Sequence, residues 1–410
     1  MKSVSKYFQG YRLVITIIVL LIYVSSSMCN TSTIMKAAKD VYGANDDYIG
    51  SQTCITCHKE TYDSYAKTPH YNTSAWMNSE KLSKVLYKED SVIYSNNLYV
   101  SVHKKTDGFY QSAYSRGVLA ASHRIDMVIG SGKKGQSFLF KNEDKFYQLP
   151  LSWSVEADRW INSPGYPADK AMFNRMVYVK CFECHATFAG EKLNDAGESV
   201  FDSSQMVLSI ACETCHGPGK KHVQYHNENP ADKKGKFIIN TATLGRQQQL
   251  DACASCHSGL RENIKPAFSF LPGNKLDDFF KTAYHKDSTA RLDVHGNQYA
   301  LLTASKCFKQ SMVLNCSSCH NVHQKESNSL QVFAQRCMNC HNEESHNFCT
   351  VKNIDKPTLI NKCIDCHMPM QESNQIVFNT GNEKKPLYES IRTHLIGIYK
   401  DNVKLQLKKK

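Results

Sequence analysis

Polar and apolar positions alternate most regularly between about residues 90 and 150. Val92 to Val102, Gly108 to Tyr114, Ser137-Phe138-Leu139-Phe140 and Phe146-Tyr147-Gln148-Leu149-Pro150 group β-forming side chains around polar turns, a pattern that predicts small hairpins with Lys141 to Lys145 as one loop. Elsewhere the pattern is helical and short, predicting helices over Gln331 to Asn339 and Asn361 to Cys366 broken by loops. Asn227 to Lys236, polar and Pro-containing, reads as a linker. At the N-terminus the apolar run Leu13 to Val24 follows Lys2, Lys6 and Arg12 and precedes Ser25-Ser26-Ser27-Met28, the layout of an export signal. The run falls short of the roughly 20 residues that span a bilayer.

One motif changes the picture. Cys-x-x-Cys-His occurs seven times, at Cys54/Cys57/His58, Cys181/Cys184/His185, Cys212/Cys215/His216, Cys253/Cys256/His257, Cys316/Cys319/His320, Cys337/Cys340/His341 and Cys363/Cys366/His367. Two thiols three positions apart can form thioethers to the two vinyls of one haem, and the adjoining imidazole supplies the proximal ligand to its iron. Zinc ribbons would need two Cys pairs per ion and give no reason for a His after every second Cys. Thioredoxin-like pairs occur singly. The expected cofactors are therefore seven covalently bound haem c groups.

Composition then reads differently. The formal charge of +12 invites a nucleic-acid partner. Removing the three signal-segment cations leaves about +9, and seven haems bring about −14 of propionate charge, so basic residues pair with propionates and no nucleic acid is expected. With haem plates replacing side-chain core, the 41% apolar content suffices. The expected fold is a mainly α, loop-rich multihaem cytochrome c with small β-hairpins and a core built largely of packed haems. Its expected organisation is a signal peptide (1–28), a polar tether (29–45), an N-terminal region (46–260) with four haems and a haem-poor insertion (about 80–175), a C-terminal region (261–400) with three haems, and a basic tail (401–410). Cys29, directly after the apolar run, is either a lipid-anchored first residue or a bystander of ordinary cleavage nearby. The protein is expected to be exported, periplasmic or at the cell surface. Cys307 and Cys349 lie outside every motif and admit a disulfide or an unpaired thiol near a haem.

Of 17 His, ten remain for the distal faces: His70, His103, His123, His222, His226, His285, His295, His323, His346 and His394. His323 follows His320 too closely to reach the far side of the same ring, so it should cap a neighbouring haem; His222 and His346 are constrained in the same way. His226 lies one helical turn from His222, so one of the two serves. His70, His222, His285, His323 and His394 lead, with His123 and His346 next.

Tyr48-Ile49-Gly50-Ser51 before Cys54, Thr68-Pro69-His70, Arg124 to Gly132, Ser163-Pro164-Gly165-Tyr166, Cys212 to Gly219 with His222, and Cys363 to Pro369 resemble an exported bacterial multihaem cytochrome c family. That family is related to the tetrahaem cytochrome of the hydroxylamine-oxidation pathway, and more distantly to pentahaem nitrite reductase and octahaem hydroxylamine oxidoreductase. The resemblance implies that His70, His222, His323 and His394 occupy distal-ligand positions, and His285 also fits. No motif here is Cys-x-x-Cys-Lys, the variant typical of the nitrite reductases.

Two functions compete. An electron carrier would cap every iron with two His and serve redox protein partners or a membrane respiratory complex; no catalytic residue is then expected. A reductase or oxidase of a small nitrogen or sulfur oxyanion would keep one iron open, with Tyr166, Arg124 and Arg175 as possible lining residues. The ten remaining His favour the carrier.

Overall fold

The computed structural model describes residues 47–77, 84–88, 90–282, 293, 296–346, 348–378 and 386–408. The expected signal segment, the tether with Cys29, and His285 and His295 lie outside the described residues. Contact grouping separates a small unit containing Pro218–Ile238 from a large one made of Tyr48–Gly217 and Ile239–Lys410.

Eleven strands dominate the stretch after the first motif: β1 (Ser74–Trp76), β2 (Asp90–Ser95), β3 (Leu98–Lys105), β4 (Gly108–Ser115), β5 (Val118–Arg124), β6 (Met127–Ile129), β7 (Gly135–Asn142), β8 (Lys145–Gln148), β9 (Leu151–Ser154), β10 (Arg159–Asn162) and β11 (Arg175–Met176). β2 to β5 form a four-stranded meander, and β1-β6-β7-β8-β11 form a larger antiparallel sheet to which β9 and β10 attach through β7. The alternation seen in the sequence is the cause. In β3, Val100 and Val102 face inward while their neighbours stay more accessible, and in β4 Phe109 and Ala113 are buried, with Gln111 and Ser112 buried between them. They join Phe138, Leu149, Leu151, Trp153 and Trp160 in one apolar cluster. Each large side chain buried there contributes about 1.5–3 kcal/mol. The region therefore has a side-chain core of its own. Gln111, fully buried, supports it by pairing both amide atoms with the backbone of Leu151 at 2.9 Å.

The helices are short: α1 (Ser51–Tyr65), α2 (Val179–His185), α3 (Cys212–His216), α4 (Lys220–Glu228), α5 (Arg246–His257), α6 (Gln298–Ala304), α7 (Lys306–Gln310), α8 (Leu330–Met338), α9 (Lys356–Asn361), α10 (Cys363–His367) and α11 (Lys400–Lys408). Within the small unit, Tyr225 of α4 donates to Asp232 at 2.9 Å and packs on Phe237, folding the following polar stretch back on the helix. No helix among the described residues is long and apolar enough to cross a membrane.

The mainly α expectation is overturned. The structure is 31% helix and 27% strand, with several antiparallel sheets. The cause is physical: most motif helices stop at or near their His, so they stay short, while the alternating insertion builds two sheets around its own apolar cluster rather than isolated hairpins. The expected Lys141 to Lys145 loop is tighter than read, since Asn142 already pairs with Lys145.

Candidate haem-binding site

A Cys-x-x-Cys-His motif on one helical turn places its three functional side chains at i, i+3 and i+4, which share a face. α2, α3, α5 and α10 each carry a motif and end on its His. In α1 the helix breaks at His58, whose φ and ψ of −119° and 38° are not helical. The fifth motif starts on the 3₁₀ turn Cys316–Ser318, and the sixth begins in the last turn of α8.

Several motif imidazoles are oriented through Nδ1. His216 pairs with the Ile239 carbonyl and His367 with the Gly397 carbonyl, both at 2.8 Å. His185 meets the Thr73 hydroxyl at 3.0 Å and His257 the Gln298 side-chain oxygen at 3.2 Å. An Nδ1–H held this way leaves the Nε2 lone pair for a metal. In the small unit His222 is held likewise, Nδ1 to the Lys236 carbonyl at 2.8 Å.

Long-range folding brings three motif His up against three of the others. His216 and His323 lie with ring centroids 6.0 Å apart and planes 7° from parallel. His70 and His257 are 6.1 Å apart, and His320 and His394 are 6.2 Å apart. Two imidazoles coordinating one metal from opposite sides, each with a metal–nitrogen bond of about 2 Å and a centroid about 1.1 Å further back, would be separated by about 6.2–6.3 Å. The residues present therefore fit a ring-enclosed iron between each pair. The second members are fixed by the backbone: the His323 carbonyl accepts from Ser64 of α1, and Ser305 bonds both the His394 carbonyl and the Ile396 amide.

Electrostatics suit ligation. Desolvation, then the neighbouring His320, pushes half-buried His394 down to about 4. His70 is also lowered to about 4, by desolvation and then His257 and His320, but the residue is exposed, so solvent screens the effect more than at His394. His320 and His323 are lowered too, burial leading in each. Imidazoles held neutral are in the form that binds metal.

The motifs also lie close to one another. The thiols of Cys54 and Cys212, of Cys184 and Cys256, and of Cys253 and Cys316 are near enough to shift one another's acidity. Cys215 neighbours Cys256, and Cys337 neighbours both Cys319 and Cys363. These proximities join the first motif to the third, the third to the fourth, the fourth to the second and fifth, the fifth to the sixth and the sixth to the seventh. Glu213, inside the third motif and fully buried, binds the first to it by accepting the Ile49 and Gly50 amides at 3.0 and 2.8 Å where α1 begins.

The motif cysteines differ in exposure. Cys57 and Cys340 are exposed, as is Cys181, whereas the other motif cysteines are half-buried. The reason is local. α1 breaks at His58 and α8 ends at Met338, so the first and sixth motifs finish at the surface, where His58 and His341 are exposed beside Cys57 and Cys340.

Other expected residues lie elsewhere. His123 sits in β5 with its ring 4.0 Å from Phe140 and 5.1 Å from Phe173. His103 of β3 stacks on Tyr110, and His346 is exposed with a left-handed φ of 54°. Cys307 and Cys349 are free thiols. Tyr166 is buried and donates to the Gln148 carbonyl, Arg175 donates to the Pro164 carbonyl at 2.6 Å, and Arg124 is paired with Asp126 at 2.8 Å. Sequence reading missed Glu213, Glu183 and Arg261, all placed by packing between distant segments; an acidic residue inside a motif was the one available signal.

Comparison with known proteins finds likenesses among multihaem cytochromes. The family model described as cytochrome c554 and c-prime matches residues 53–114 and 167–217, a span that reaches the first three motifs. The multiheme cytochrome MtrA of Shewanella baltica (strain OS185) is 26% identical over 196 residues, covering 46% of this chain and 51% of that protein. The chain thus spans about half the length of that curated relative. No solved structure matches. Seven Cys-x-x-Cys-His motifs, the paired imidazoles and these likenesses point the same way: the chain is similar to multihaem c-type cytochromes.

Proposed function

We propose that this chain is an exported heptahaem electron-transfer protein in which every iron is held by two His. The three imidazole pairs at 6.0–6.2 Å carry the reading. Haem supplies a one-electron ferric/ferrous couple when bound. The chain's part is to hold and order the sites. Cys54/Cys57, Cys181/Cys184, Cys212/Cys215, Cys253/Cys256, Cys316/Cys319, Cys337/Cys340 and Cys363/Cys366 are the attachment pairs, and each adjoining His is the proximal ligand. His323 caps the third site, His70 the fourth and His394 the fifth; His222, His285, His123 and His346 are the pool for the rest. Ligand exchange of this kind ties each site to a distant segment.

The neighbouring cysteines support a spatial order of 1-3-4-5-6-7, with site 2 joined at site 4. A continuous row of neighbouring sites is what a carrier needs. The oxyanion-enzyme alternative loses support because Tyr166, Arg175 and Arg124 are occupied in holding the sheet region together. Under this reading the partners are exported redox proteins or a membrane respiratory complex, and Cys29 anchors the chain to the membrane. The narrower kinship to the tetrahaem cytochrome of hydroxylamine oxidation belongs to the same proposal.

The intact mass of the purified chain tests the count. Seven covalent haem increments are expected, and six or fewer would mean that a motif is unused.

A further inference from the structure

Between the second and fourth motifs lies a buried cation that electron carriage by itself does not explain. Arg261 stands in the short strand Arg261–Asn263, paired antiparallel with Phe280–Thr282. Its side chain is 6% exposed, and its guanidinium lies 3.9 Å over the ring of Phe280. Nη2 is 3.7 Å from Glu183, whose side chain is 3% exposed, so the contact is an ion pair longer than a hydrogen bond. Asn263 donates to the same carboxylate oxygen at 3.0 Å. Nη1 has no partner among the described residues although no solvent reaches it.

Both ends of this arrangement belong to haem motifs. Glu183 lies between Cys181 and Cys184, and its backbone carbonyl accepts the thiol of Cys256 at 3.6 Å. The Arg261 charge also acts on the thiols of Cys184 and Cys256, which places the guanidinium beside both motifs. A guanidinium has five donors in a fixed fork suited to carboxylates, and leaving one buried and unmet is costly. Haem loading adds one class of anion to this interior, the propionate carboxylates.

We infer that Arg261 is the positioning residue of the second and fourth haem sites: Nη1 donates to a haem propionate, and its charge raises the reduction potential there. This rests on the haem reading proposed above. A fixed cation stabilises the ferrous iron, which carries one positive charge fewer than the ferric form, and Glu183 offsets part of that effect. The four groups, Arg261, Glu183, Asn263 and Phe280, thus form a tuning cluster at the one site where the row of motifs branches.

Redox titration of the haem-loaded R261Q chain, followed by optical and electron paramagnetic resonance spectra, is the test. At fixed poise the ferrous-to-ferric ratio of at least one haem is expected to fall about tenfold, a downward shift of about 59 mV for a one-electron couple. E183Q should move the same haem upward. R261K, which keeps the charge and the apolar stem over Phe280, should bring the potential back toward wild type and provides the check where R261Q folds poorly. Redox-difference infrared spectra should show a propionate carboxylate band that shifts in R261Q. Unchanged potentials and an unchanged band in chains that carry all their haems would overturn the inference, leaving Arg261 a packing residue. A wild-type mass and peptide map without haem at the second or fourth motif would overturn the site reading itself, so the two failures are distinguishable.

Discussion

Acid should detach His394 well below the ordinary imidazole range. An unfolded chain protonates this side chain as pH falls through about 6.5, whereas in the folded chain burial and His320 delay protonation to about 4. A depressed folded value means that the stabilisation is complete above the unfolded pKa and is lost as pH falls from about 6.5 to about 4. At 1.36 kcal/mol per unit, the full loss amounts to about 3 kcal/mol. An iron bond on the same imidazole competes with the proton and pushes the folded value lower still. The low-spin spectrum of the fifth haem should therefore persist through pH 6.5 and yield to a high-spin form only at or below about pH 4. Urea unfolding of the haem-loaded chain across this range, set against His394→Ala, isolates the contribution, because other titrating groups are common to both. A high-spin transition centred near pH 6.5, or a pH slope identical in the two chains, would refute the reasoning.

Further outcomes follow from the same geometry. His323→Ala should convert the third haem to high spin without removing it, read as a new high-spin ferric signal at unchanged covalent mass. Phe182→Ala empties a fully buried position where the second motif packs on Phe146 and Phe201, and should cost about 3–5 kcal/mol in denaturant unfolding. Gln111→Leu strands the Leu151 amide and carbonyl in the apolar cluster and should cost about 1–3 kcal/mol by the same measurement. Glu213→Ala removes the acceptor of the Ile49 and Gly50 amides just ahead of α1, and should lower stability by about 1–3 kcal/mol in denaturant unfolding with the haem count unchanged.

What could be read in advance divides by the range of the interaction. The motifs are local: Cys, Cys and His at i, i+3 and i+4 are set by one helical turn, and the sequence displays them directly. How deeply each motif is enclosed is not local, and nothing in the spacing separates exposed Cys57 and Cys340 from their half-buried counterparts. Strand alternation in Leu98–Lys105 and Gly108–Ser115 is equally legible, but alternation does not show how many strands join one sheet. Four strands with a polar and an apolar face require a second layer, and β6 to β10 supply it, giving a sheet region where hairpins were expected. The imidazole pairs are another matter. Spacing alone argued that His323 serves a haem other than its neighbour's, but which one depends on how residues more than a hundred positions apart meet, as with His216. Nothing in the composition marks Arg261 as buried, because its burial follows from Phe280 and Glu183 arriving from either side. The same holds for Ser64 and Ser305, ordinary polar residues until they fasten the backbones of His323 and His394.

Electron paramagnetic resonance of the fully oxidised protein tests the central claim most directly. Bis-His ligation throughout predicts low-spin ferric signals that account for every haem in the intact mass, with no optical response to nitrite or cyanide. A substantial high-spin signal at neutral pH, together with a ligand-dependent optical shift, would contradict it and leave an iron open to substrate.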